Sequence, residues 1–413
     1  MFVTPLPSND HIYRGGRRGW VAHEEGANIW ARSHAHAAVC MRVLLQYMFA
    51  QAQTFNGNIS GWNTTSVTTM ERMFMFARLF NQDIGSWDVS SVTDIFQMFY
   101  FARVFNQNLS EWDTSSVTRS SWVFAVARAF NGDLSGWNTS LFTDVGYMFS
   151  GAQAFNQNLS TWDMSSVTNL RGMFYNAYVF NGDISGWDTS SVTTMQETFH
   201  GAREFDGNIS GWNVSMVTTM EKTFQSCKVF NQSLSEWDTS SVTNMKYTFY
   251  DAQVFSADIS GWDTSSVGSM SGMFRQAYAF DGDIISGWDT SSVGDMSSMF
   301  QSATSFNGTI SGWNTSSVKG MGSMFYSATS FDGDLSGWDT SSVEDMSSMF
   351  QSATSFDRDI SGWDVGSVTN TASMFDGADS LSNCSKVAID ATFSALGNDW
   401  THGSEDWDTL ECS

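Results

Sequence analysis

The chain has 413 residues, 41% of them hydrophobic and 15% aromatic, which is too apolar for a disordered chain and ample for a large core. Nineteen basic residues against 43 acidic ones leave a net charge of −24, which disfavours nucleic acid and anionic membrane as partners. The imbalance lies after residue 50: the first 50 residues carry Arg14, Arg17, Arg18, Arg32 and Arg42 against Asp10, Glu24 and Glu25, a sum of +2, and the remainder sums to −26.

Residues 1–40 hold both prolines, Pro5 and Pro7, and four of the six histidines. Their composition predicts a poorly packed leader. His23, His34 and His36 fit no closed zinc spacing. No basic stretch followed by an apolar one marks residues 1–30 as a signal peptide. No apolar run is long enough to span a membrane.

From residue 41 to 381 the chain repeats itself. Tryptophan recurs at Trp62, Trp87, Trp112, Trp137, Trp162, Trp187, Trp212, Trp237, Trp262, Trp288, Trp313, Trp338 and Trp363. Eleven of the twelve spacings are 25 residues and one, Trp262 to Trp288, is 26. A fixed period of this length predicts a solenoid of about 13–14 stacked units, because one unit alone cannot bury its apolar face.

Each unit divides in two. In the first half, Val92, Ile95, Met98, Phe99, Ala102 and Phe105 are spaced 3, 3, 1, 3 and 3, which predicts a short helical or 3-10 turn. Ser91 with Asp94, Ser292 with Asp295 and Ser342 with Asp345 have the spacing of a capping box at its start. The second half, Asn181 to Trp187, is predicted as a short strand, parallel to its counterpart in the next unit and about 4.8 Å from it. Asp188-Thr189-Ser190-Ser191 then turns the chain. The fold class is therefore an α/β repeat. The extra residue at Ile284-Ile285 predicts a bulge that leaves the stack intact.

Residues 382–413 depart from the repeat. Val387, Ile389, Phe393, Leu396, Trp400, Trp407 and Leu410 suit a C-terminal cap. Cys384 and Cys412 are placed to close a loop of about 28 residues, a contribution of roughly 3–4 kcal/mol in an oxidising compartment. Cys227 replaces the usual repeat alanine and reads as a buried free thiol.

The segment Met173-Phe174-x-x-Ala177-x-x-Phe180-Asn181-x-Asp183-Ile184-Ser185-x-Trp187-Asp188-x-Ser190-Ser191-Val192 resembles the 25–26 residue repeat of the BspA-like leucine-rich-repeat surface proteins. The resemblance covers about 48–381, and Leu381-Ser382-x-Cys384 is similar to that family's C-terminal cap. It implies an LRR-like curved solenoid, extracellular or at a cell surface, used for adhesion or protein binding.

Among the residues themselves, the best candidate for chemistry is one acidic column. Asp83, Asp133, Asp183, Asp258, Asp283, Asp334 and Asp359 alternate in part with Asn58, Asn108, Asn158 and Asn208. Carboxylate and amide oxygens suit calcium. The competing reading is a column of Asx turns whose side chains only satisfy backbone amides. The tryptophans read as a buried ladder before a glycan-binding face. No nucleophile–base grouping is present, since His200 is the only repeat histidine. The expected function is non-enzymatic recognition or adhesion, with a protein or glycan ligand lying across the exposed strand face. Positions that vary between fixed neighbours, such as Gln82, Gln107, Gly132, Gln157, Gly182 and Gly207, are the expected contacts. The alternative is a structural, calcium-associated surface coat. The oligomeric state is left open.

Overall fold

The computed structural model describes residues 43–400, 407 and 410–412. The leader expected over 1–40, with its histidines and Cys40, lies outside the described residues.

The unit at 167–192 shows how the chain folds. Its first half is a run of tight turns in which two sets of hydrogen bonds alternate. Met173, Tyr175 and Ala177 donate back three residues, to Leu170, Gly172 and Phe174, at 3.0–3.1 Å. Leu170, Gly172, Phe174 and Asn176 donate instead to Thr194, Gln196, Thr198 and His200 of the next unit, at 2.6–3.2 Å. An α-helix satisfies its amides internally. Here alternate amides are committed to a neighbour. That arrangement places two left-handed residues in the unit, Gly172 at φ 57° and Asn176 at φ 53°. The apolar spacing expected to mark a helical turn therefore reports successive tight turns.

The strand expectation is corrected in the same way. The named strands are β1 (Val43–Leu44) and β2 (Val67–Thr69), paired in parallel. Beyond them the contact narrows to single parallel bridges, from Thr69–Asp94 through Asn169–Thr194 to Asp345–Asn370. These bridges lie just before the turn run, not in the stretch from Asp183 to Trp187. That stretch cannot extend, because Asp183 accepts from the Ser185 amide at 3.0 Å and the Trp187 amide donates to Ile184 at 3.3 Å. The capping boxes are absent for a related reason. Asp94, Asp295 and Asp345 bond forward to the amides of Phe96, Ser297 and Ser347 at 2.9–3.0 Å, which makes Asx turns where no helix begins.

What holds is the stack. Phe174 and Phe180 lie face to face at 3.8 Å, and Phe174 is 5.7 Å from both Phe149 and Phe199. The tryptophan column continues at 6.1 Å (Trp137–Trp162) and 5.7 Å (Trp187–Trp212). These spacings exceed the 4.8 Å expected. The backbone bonds sit on the bridges and turns, while the rings stand away from them and stack at their own separation. The ring ladders are buried, Trp187 being 3% exposed and Phe174 and Phe180 fully enclosed. Each buried indole needs an acceptor. Trp187 Nε1 donates to Leu159 O at 3.0 Å and Trp212 Nε1 to Ile184 O at 3.1 Å. Buried threonines bond across units as well, Thr189 Oγ1 to Asn213 O at 2.9 Å. A third ladder is made by the asparagine after the second Phe: Asn131 Oδ1 accepts from the Asn156 amide, and Asn156 Oδ1 from the Asn181 amide, at 2.9 and 2.7 Å.

The extra residue is taken up by a 3-10 turn, Asp283–Ile285, in place of a bulge. Ile285 takes the buried position, and Trp262 and Trp288 remain stacked at 6.2 Å. One bond is lost: Trp288 Nε1 is buried with no acceptor, although by register it would reach the Ile259 carbonyl.

The last unit is covered by helix α1 (Asn383–Phe393), which turns Ile389 and Phe393 inward. Its N-cap is Ser382, whose hydroxyl accepts from the Ser385 amide at 3.2 Å. Asp357, in the column that is otherwise largely asparagine, ties α1 to the stack by accepting from the Ser382 amide at 2.9 Å. Trp400 and Trp407 close over Phe375 at 6.2 and 5.4 Å. Cys384 and Cys412 form a disulfide, 28 residues apart. Cys227 is buried and free, and burial pushes its thiol above the ordinary range.

Candidate functional site

The acidic column resolves into turns. Asp83, Asp133, Asp183, Asp258, Asp334 and Asp359 each accept from the amide two residues on, at 2.8–3.0 Å. Asn58, Asn108, Asn158 and Asn208 make the same bond at 2.8–3.1 Å. Asp283 stands instead at the start of the 3-10 turn. Among the described residues no group of three or more His, Cys, Asp or Glu side chains is arranged to hold a metal ion. The column after tryptophan behaves alike. Asp88, Asp113, Asp163, Asp188, Asp238, Asp289 and Asp339 have carboxyls held below the usual range, first by the serine hydroxyl two residues on and then by its amide. A shallow depression of about 290 Å³ borders Trp87, Asp88 and Asp113. Those two carboxylates are engaged with Ser90 and Ser115, and the Trp87 indole donates to Ile59.

The variable positions beside that column are engaged with neighbouring units. Gln107 and Gln157 donate to the asparagine ladder at Asn81 and Asn131. A Cβ on Gly132 or Gly182 would come within 2.2 and 2.1 Å of the carbonyls of Gln107 and Gln157. The variation here is internal packing.

Diversity of another kind lies on the turn run. Its two left-handed positions project side chains that are neither core nor fully solvated. In the last complete units they are small: Ser298 and Ser302, Ser323 and Ser327, Ser348 and Ser352. Elsewhere glycine serves, as at Gly151, Gly172, Gly201 and Gly272. Between 47 and 276 the same positions hold small or polar residues in places, such as Gln51, Asn176 and Ser226, but also Tyr47, Arg72, Phe76, Phe101, Trp122, Val126, Tyr147, Glu197, Lys222 and Tyr247, these last at φ 54–62°. A non-glycine residue there costs roughly 1–2 kcal/mol, most for a bulky or β-branched one. The backbone alone therefore does not favour Trp122 or Val126 at these sites.

These side chains form a continuous surface. Phe76 stacks on Phe101 at 4.8 Å, Tyr100 meets Trp122 edge-on at 5.9 Å, and Trp122 stacks on Tyr147 at 4.2 Å. Tyr147 Oη donates to Glu197 Oε2 at 2.8 Å, and burial, followed by that bond, pushes its hydroxyl up to about 12. Glu197 also lies 3.8 Å from Arg171 and 3.7 Å from Lys222. Tyr175 stacks on His200 at 4.5 Å, and burial lowers the His200 imidazole below its ordinary value. Arginines lie over rings: Arg72 over Phe96 at 4.9 Å, Arg119 over the same ring at 4.8 Å, and Arg203 over Tyr178 at 4.5 Å. Most basic residues of the repeats gather here, while most acidic ones occupy the Asx turns. A neighbouring column adds exposed apolar groups, Leu79 at 50% and Val179 at 41%. It too becomes bland beyond residue 279, as Thr304-Ser305, Thr329-Ser330 and Thr354-Ser355. The 26-residue spacing falls at that boundary.

Sequence reasoning missed this face because it followed the repeating letters. The available signal was the opposite one: aromatic residues at positions where the repeat elsewhere accepts serine or glycine.

Among the described residues no helix is long and apolar enough to cross a membrane. Residues 42–136, 107–212, 193–286 and 282–387 each match the family described as "Mycoplasma protein of unknown function, DUF285". These matches run over most of the chain, and the chain belongs to that family. No curated protein matches it. Among solved structures, the chain is similar to one described as the crystal structure of a TLR13–ssRNA13 complex, at 10% identity and a TM-score of 0.21. That likeness covers 81% of this chain and 55% of the other, so this chain spans about half its length.

Proposed function

We propose that this member of the DUF285 family is a non-enzymatic recognition or adhesion protein, an LRR-like solenoid that works outside the cell or at its surface and binds a protein partner. The contact surface is the turn face of the units between residues 46 and 279. It takes the place of the expected strand face, because stretches such as Asp183 to Trp187 are turned and not extended. One observation carries the reading. Large aromatic and charged side chains stand at left-handed positions that glycine or serine fills at lower cost in other units of the same chain. Rigid aromatics and arginines over several units are the composition of a contact surface, and many modest contacts add along an extended face. The Cys384–Cys412 disulfide and the resemblance to BspA-like repeats support an oxidising, extracellular setting.

The test is a graft. Phe76, Phe101, Trp122 and Val126 are replaced by serine, and Ser302, Ser327 and Ser352 by glycine in a control. Both proteins are then compared with the parent on an array of purified extracellular and cell-surface proteins. The first variant is expected to lose the parent's binding and the control to keep it. Equal binding by both, or robust turnover of a small substrate by the parent, would overturn the proposal.

A further inference from the structure

We infer that the column Arg78–Arg103–Arg128, together with the apolar column Leu79–Val104–Ala129 beside it, is a subsite for an extended acidic segment of the partner. The inference rests on the recognition reading above and narrows it to one place and one chemistry.

The three arginines occupy one position in three successive units. Several other basic side chains on the face have carboxylates in reach, Arg119 pairing with Asp94, Arg171 with Glu197 and Lys228 with Asp251, while Arg203 and Arg275 stand singly, over the rings of Tyr178 and Tyr250. Among the described residues no carboxylate pairs with Arg78, Arg103 or Arg128. The Nε atoms of Arg78 and Arg103 are buried without an acceptor. Three like charges therefore stand in a row with no counter-charge, in a chain whose net charge is −24. An anionic ligand at the guanidinium tips relieves their mutual repulsion.

The row is held in register. The Leu79 amide donates to the Gln53 carbonyl, the Ala129 amide to Arg103 and the Ala154 amide to Arg128, each at 3.1 Å. The rings two residues along recur at 5.8 and 5.9 Å, Phe80–Phe105 and Phe105–Phe130, and backbone bonded between units recurs at about 4.8 Å. In an extended peptide, side chains on one side recur every roughly 6.7 Å. The difference is about 1–2 Å per step, and a long guanidinium side chain absorbs it over three units. A strand lying between the two columns would direct acidic residues to the arginines on one flank. The alternate residues would then meet Leu79 and Val104, which are 50% and 39% exposed, on the other. Polyphosphate has no use for the apolar flank, and the net charge of the chain opposes it. An acidic–apolar protein segment satisfies both flanks.

The experiment uses the full chain and a fluorescent octapeptide of alternating Asp and Leu. Comparison probes are a block peptide of four Asp then four Leu, an alternating Lys–Leu peptide and an eight-nucleotide oligo-dT. The Asp–Leu peptide is expected to bind most tightly and to weaken as salt rises. The triple variant Arg78→Gln, Arg103→Gln, Arg128→Gln should weaken it by about tenfold or more, from three partly exposed charge contacts of several tenths of a kcal/mol each. Arg358→Gln, far from the column, should not. Leu79→Ser with Val104→Ser should weaken the peptide while leaving its salt dependence, a loss that a misfolded arginine variant could not imitate. Peptide binding unchanged in the triple variant, or tighter binding of the block peptide or oligo-dT, would overturn the inference. If the array partner is lost with Phe76, Phe101 and Trp122 but retained by the triple variant, the recognition face stands and this subsite falls.

Discussion

Replacing Trp313 and Trp288 separately by phenylalanine tests the tryptophan ladder at its one irregular step. Both indoles are buried, at 3% and 5% exposure, and both stack in the same column. Trp313 Nε1 donates to Ile285 O at 3.2 Å. Trp288 Nε1 donates to nothing. The smaller ring costs of order 1 kcal/mol at either site, and that cost cancels in the comparison. At Trp313 the substitution also removes a buried hydrogen bond, a further loss of roughly 1 kcal/mol, although the Ile285 carbonyl keeps the Trp288 amide as a donor. At Trp288 it removes a donor that was already unmet, which returns roughly 1 kcal/mol or more of desolvation cost. The two variants should therefore differ by about 2 kcal/mol, with Trp288→Phe the more stable. Equilibrium denaturation followed by tryptophan fluorescence and circular dichroism measures the difference. Neighbouring units are compared because repeat stability is a sum of local terms and need not be uniform along the stack. Trp288→Phe as destabilising as Trp313→Phe would refute the claim that the 26-residue unit costs the ladder one bond.

The Asx turns predict an acid-labile contribution. Asp188 is held below the usual carboxylate range by Ser190, so its stabilisation is full above about pH 4 and is lost as pH falls through the lowered folded value. Asp188→Asn, which copies Asn213 in the next unit, should match the parent at pH 7 and lose less on acidification in pH-dependent melts. Asp188→Ala should cost about 0.5 kcal/mol at pH 7, the carboxylate being exposed. Calcium should leave the melting temperature unchanged, since the column from Asp83 to Asp359 is engaged with its own backbone; a clear rise in calorimetry would restore the coat reading. Reducing Cys384–Cys412 should lower stability by roughly 3 kcal/mol and loosen α1 first, as hydrogen exchange at Ile389 and Phe393 would report.

The period and the ring ladders were legible because both depend on residue type alone. Phe174, Phe180 and Trp187 recur, and only stacking buries them. The local backbone was not legible, because the apolar spacing from Val92 to Phe105 suits a helix and a run of tight turns equally. What separates them is whether alternate amides bond within the unit or to the next one, as Leu170, Phe174 and Asn176 do. That choice is made by the neighbouring unit, and no single repeat contains it. The strand failed on a local competitor. Asp183 folds its own segment by bonding to Ser185, the same Asp-x-Ser chemistry assigned only to the following turn.

The turn face was hidden for a more general reason. A repeat pattern draws attention to invariant letters, and in a stacked protein those letters report only packing. Val126 makes the point in energetic terms. Its β-branched side chain sits at φ 59°, where Gly151 serves in the next unit at φ 66°. Val126→Gly removes a left-handed penalty of roughly 1–2 kcal/mol and adds back about 0.5–1 kcal/mol of chain entropy, a net change near zero or slightly stabilising. A buried packing residue would behave oppositely and lose stability on truncation. If Val126 and its neighbours Trp122 and Phe101 serve recognition, truncating them should leave folding intact and abolish partner binding. If they serve the fold, stability and binding should fall together. The sign of the stability change at Val126, read beside the array result, therefore decides which use the left-handed positions have.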